Sequence, residues 1–68
     1  MKNTGWRFTF IIEDTETEET YTRVNEKPHW LAKNYRQALK DAVEEESFFL
    51  DDTEIIKSME CEECVIGE

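Results

Sequence analysis

The sequence predicts a small α+β domain of order β-β-α-β, with one helix packed on one face of a three-stranded antiparallel sheet. Two periodicities and an interruption predict it. Trp6, Phe8, Phe10 and Ile12 alternate with Arg7, Thr9, Ile11 and Glu13, the two-residue period of a strand. Tyr35, Ala38, Leu39, Ala42 and Val43 recur at spacings of three and four, the stripe of a helix lying on a sheet. Between them Pro28 ends one extended run, because proline cannot donate to a ladder.

The elements follow in order along a single domain, residues 1–68. Asp14 to Glu19, DTETEE, has no apolar residue and reads as a loop. Thr20-Tyr21-Thr22-Arg23-Val24 then returns as a β-branched and aromatic run, so residues 5–27 form a hairpin. Two helix starts compete: Pro28 in the first turn, or Asn34 as N-cap with Gln37 three residues on, which is the favoured start. The helix is expected over about 34–46, with Trp30 or Leu31 extending its apolar stripe. Ser47-Phe48-Phe49-Leu50 is expected to fold under the sheet as an apolar plug, opening an acidic loop over 47–54. A third strand follows over about 55–66, beside the first, which places the most apolar strand at the centre.

The charge is large and lopsided. The formal charge is -9 over 68 residues, yet residues 1–40 hold six acids against seven bases, whereas residues 41–68 hold eleven acids and only Lys57. Direct binding to nucleic acid or to an anionic membrane is therefore not expected, and a charged partner should be basic. A chain this short buries only about 60% of its unfolded surface, so it can ill spare stability, and homodimerisation or a metal would help it. The run Trp6 to Ile12 is too short for a signal peptide, is interrupted by Arg7 and lacks a small-residue cleavage site; nothing approaches a membrane span, and two cysteines three residues apart argue against a secreted disulfide scaffold. A cytoplasmic location is the expectation.

Candidate chemistry is sparse. Cys61-Glu62-Glu63-Cys64 could supply two zinc ligands, completed by His29 and a carboxylate or by a second chain, but no second pair exists to make a tetrahedral set. Glu60, Glu62 and Glu63 oppose a redox-active thiolate, and in a strand the two thiols would point to opposite faces. The expectation is two inert thiols and no cofactor. His29 lacks an evident catalytic partner, Asp51 and Asp52 lack the spacing of a calcium loop, and no phosphate-cradling loop is present, so an enzyme is not expected. An aromatic platform for bases at Trp6, Phe8 and Phe10 conflicts with the charge, and core packing explains those residues better.

The run Lys40 to Asp52, KDAVEEESFFLDD, poses the main question, because a helix C-terminus favours cations and this one carries Glu44, Glu45 and Glu46. Carried by a minimal domain, such a cluster suggests use. Carboxylates of Glu44, Glu45, Glu46, Asp51, Asp52 and Glu54, with Glu16, Glu18 and Glu19 as a second patch, can stand in for phosphates against the arginines and lysines of a nucleic-acid-binding protein. In length, acidity, the DTETEE and EEESFFLDD runs and the β-β-α-β pattern, the chain resembles the small acidic proteins that bacteriophages use against host defence, among them anti-CRISPR proteins and anti-restriction DNA mimics. The resemblance implies an inhibitor that binds a basic protein through an acidic face, and it carries over no individual residue role. The alternative is a homo-oligomeric interaction module, pairing through the edge of strand three around Ile55, Met59, Val65 and Ile66, with a zinc shared at Cys61 and Cys64.

Overall fold

A computed structural model describes residues 4–32 and 34–65, and the order is β1 (Thr4–Asp14), β2 (Thr20–Pro28), α1 (Tyr35–Phe48) and β3 (Glu54–Val65). The sheet is antiparallel throughout, in the order β2-β1-β3, so the α+β class and the central place of the first strand are as the sequence predicts. Ile66, assigned to the third strand, lies outside the described residues.

The alternation along β1 decides the two faces. Phe8, Phe10 and Ile12 are fully buried and form the core with Ala32, Ala38 and Ala42. Residues in register with them share their face: Tyr21, Arg23 and Asn25 on β2, and Ile56, Met59 and Cys61 on β3. Ile56 and Met59 are three apart and would face oppositely in a regular strand. A register shift opposite Ile11 and Ile12 inserts Lys57 as an extra residue, and this bulge lets both pack against the core.

The helix begins where the favoured start puts it. The Asn34 side chain accepts from the Gln37 backbone N–H at 2.9 Å, but the Gln37 side chain reaches forward to Asp41 instead of closing a capping box. Ala38, Ala42 and Glu46 form its buried stripe, and their spacing of four sets them along one line facing β1 and β2. The two alanines leave room for the large rings of Phe8 and Phe10.

Several local expectations are corrected. The helix runs to Phe48, beyond residue 46, and Trp30 and Leu31 stand exposed outside it. Phe48 and Phe49 form no plug: they are 83% and 59% exposed, and of the expected apolar segment Leu50 alone packs against the core. The helix steps 100° per residue, which sets Phe48 roughly 120° away from the centre of the Ala38-Ala42-Glu46 stripe. Continuing the helix by two residues is thus what turns the first ring outward.

Candidate functional site

The acids that the sequence places in separate runs fall into two structurally different groups. Glu45 and Glu46, at the helix end, are tied to β2. The Glu46 carboxylate accepts from Arg23 Nε at 2.6 Å and from Asn25 Nδ2 at 3.0 Å, and the residue is only 4% exposed. Glu45 accepts from Lys27 Nζ and from Asn25 Nδ2, and these bonds, Lys27 foremost, hold its carboxyl below the usual carboxylate range against the opposing effect of burial. Arg23, Asn25 and Lys27 alternate along the helix-facing side of β2, so their spacing of two matches the advance of the helix end above them.

This answers the question raised by the acidic helix terminus. No basic residue occupies its last turn, but the compensating charges arrive from the neighbouring strand. Glu46 therefore does not belong to an exposed acidic face, and the Glu45 carboxylate is engaged at its edge. Glu44 remains on the outer surface of the helix.

The second group gathers at one end of the sheet. Thr15 donates to the Thr53 carbonyl twice, from its backbone N–H and from its hydroxyl, both at 2.7 Å. These bonds fasten the β1–β2 loop to the turn before β3. Glu16, Glu18, Glu19, Asp51, Asp52 and Glu54 consequently share one acidic pole, although the two runs lie more than thirty residues apart along the chain. Tyr21 reinforces the junction by donating to Glu54 at 2.7 Å, a bond that pushes the tyrosine hydroxyl above its ordinary range.

The pole is locally ordered. The Asp14 side chain accepts from the backbone N–H groups of Glu16 and Thr17, the pattern of an Asx turn, and the first of these does most to lower its carboxyl. Glu54 accepts from the Asp51 N–H through its side chain and donates its own N–H to the Asp51 carbonyl. Glu18 sits at φ 65°, in the left-handed region that glycine or asparagine fills at lower cost. Asp14 was not among the predicted site residues. Its position before alternating Thr and Glu, where an Asp commonly caps a turn, was the available signal.

Cys61 and Cys64 do not come together. Cys61 is in register with Phe8 and Cys64 with Gly5, so the thiols lie on opposite faces of the sheet. Both are free, and burial pushes the Cys61 thiol up, away from the thiolate, against the opposing effect of the neighbouring Tyr35 hydroxyl. Among the described residues no group of three or more His, Cys, Asp or Glu side chains is placed to hold a metal ion. His29 is fixed in place instead: Nδ1 lies 2.8 Å from Thr4 Oγ1, the ring packs edge-on against Trp6, and Nε2 lies 2.8 Å from Glu63 Oε2 without the alignment of a hydrogen bond. The side chain of Met59 packs against the core, while those of Ile55 and Val65 are exposed.

Among the described residues, no helix is long and apolar enough to cross a membrane. What fold and site define is a small α+β protein with a structured acidic end. No protein-family model, no curated protein and no solved structure matches the chain.

Proposed function

We propose that this is a non-enzymatic binding protein whose acidic pole engages a basic, nucleic-acid-binding protein in place of nucleic acid. The observation that carries this reading is the pair of hydrogen bonds from Thr15 to the Thr53 carbonyl, which joins two separate acidic runs into one surface. The carboxylates of Glu16, Glu18, Glu19, Asp51 and Asp52 supply the like-signed density that a phosphate-binding cleft recognises, and Asp14, Glu54 and Tyr21 hold their backbone in place. Association through such a surface is fast and weakens with salt. An inhibitory role of the anti-CRISPR or anti-restriction kind fits this mode of action, in a cytoplasmic setting where such targets work.

The test is capture from a nuclease-treated cell lysate on immobilised protein, eluted first with duplex DNA and then with high salt. Release by DNA of a nucleic-acid-binding protein that the double variant Glu18→Lys/Asp52→Lys fails to capture is the expected result. Capture by the variant equal to that by the parent would overturn the reading. Self-association that persists in high salt, with no DNA-releasable partner, would favour the homo-oligomeric alternative.

A further inference from the structure

Beside the acidic pole lies a surface of different character. Asp41, Glu44, Glu45 and Phe48 are spaced i, i+3, i+4 and i+7, so they share one flank of the helix, and with Phe49 they line a shallow groove. The two phenylalanine rings pack perpendicular to each other with centroids 5.5 Å apart, and the Arg23 guanidinium lies 5.3 Å from the centre of the Phe49 ring. The exposed rings thus contact each other, and Phe49 also contacts Arg23 of β2, so the two form one continuous aromatic anchor surface.

The charge around the rings selects the occupant. Glu45 is occupied by Lys27 and Asn25, but among the described residues no basic side chain pairs with Asp41 or Glu44. A second copy seated ring to ring would bring these acids against their own equivalents, and an anionic bilayer would meet them with like charge. A segment carrying both apolar and basic residues satisfies rings and rim together.

Resting on the acidic-surface reading above, we infer that this groove docks an amphipathic basic segment of the protein partner. An apolar side chain of that segment seats on Phe48 and Phe49, and flanking lysines or arginines meet Asp41 and Glu44. The acidic pole then governs encounter and the groove governs selection, because rim charges act mainly on association whereas desolvated aromatic anchors act on residence.

Two synthetic peptides of equal positive charge separate these roles: one of leucine and lysine with leucines at i, i+3, i+4 and i+7, and one with every leucine replaced by serine. Binding of each labelled peptide is read by fluorescence anisotropy at about 0.15 M salt, alongside backbone amide shifts. The leucine peptide is expected to bind at least about tenfold tighter, with shifts centred on residues 44–49. Phe48→Ser/Phe49→Ser should bring the two affinities together while leaving that of the serine peptide unchanged, and Phe48→Ser alone, which leaves the Arg23 contact intact, should lose a large part of the preference. Equal binding of both peptides to the parent protein would overturn the docking inference and leave the acidic-surface reading standing. Failure of both peptides to bind would overturn both. A dimer that the phenylalanine variants convert to monomer would assign the groove to a second copy and overturn the inference.

Discussion

Glu46, on the last full turn of α1, lies 2.6 Å from Arg23 on β2 through the Oε1 and Nε atoms, and it is the single charged residue among the buried set of the described chain. This pair joins the helix end to the edge strand where apolar packing runs out, since the stripe begun by Ala38 and Ala42 continues as a carboxylate. Removing Glu46 leaves Arg23 and Asn25 facing an alanine-lined gap. Glu46→Ala is expected to destabilise the fold by about 2–3 kcal/mol, against under about 0.5 kcal/mol for Glu44→Ala on the outer helix surface. Chemical denaturation of the two variants checks this, and equal midpoints would show that the buried carboxylate contributes no more than a surface one.

Glu18 occupies the left-handed region at φ 65°. A residue with a Cβ costs about 1–2 kcal/mol there relative to the right-handed region, and asparagine tolerates it better. Glu18→Asn is expected to raise stability by up to about 1 kcal/mol, or roughly 4–8 °C in melting temperature for a domain of this size. A lower melting temperature would mean that the Glu18 side chain makes a contribution of its own to the loop.

Thr15 binds Thr53 through both its backbone N–H and its hydroxyl. Thr15→Val keeps the shape and the backbone bond but loses the hydroxyl bond, at an expected cost of about 1 kcal/mol. Amide exchange at residue 15 should accelerate at the same time, because its N–H is then the one hydrogen bond left between residues 15 and 53. Unchanged exchange in the valine variant would show that the backbone bond alone holds the acidic segments together.

The carboxyls of Glu45 and Asp14 are held below their ordinary values of 4.5 and 3.8, by Lys27 in the first case and by the Glu16 N–H in the second. A group whose pKa is depressed on folding contributes stability that is present above its unfolded pKa and lost as pH falls through the folded one. Stability is therefore expected to hold from neutrality down to about pH 5 and to fall below that as these two carboxyls protonate. Lys27→Gln should lower stability at neutral pH and make the acid limb shallower, which urea titrations at stepped pH would read. An acid limb of unchanged depth would remove Lys27 and Glu45 from the account.

The sheet and the helix were legible in the sequence because period two in Trp6 to Ile12 and spacings of three and four in Tyr35 to Val43 are local signals, each set by the geometry of one element. The Asn34 cap was legible for the same reason. The outward turn of Phe48 and Phe49 was not, because an aromatic pair reads as core unless the helix phase is carried to its true end at Phe48.

The acids show the same division. Their number and their concentration in residues 41–68 belong to the sequence alone. Which of them are spent within the fold depends on Arg23, Asn25 and Lys27 lying on the helix-facing side of β2, and which of them meet at one end depends on Thr15 reaching Thr53. Both are long-range relationships, created when β1 takes the centre of the sheet and brings its neighbours within hydrogen-bond reach. Periodicity along the chain carries no information about them, because a hydrogen bond between distant residues depends on register and crossing geometry, which tertiary packing decides.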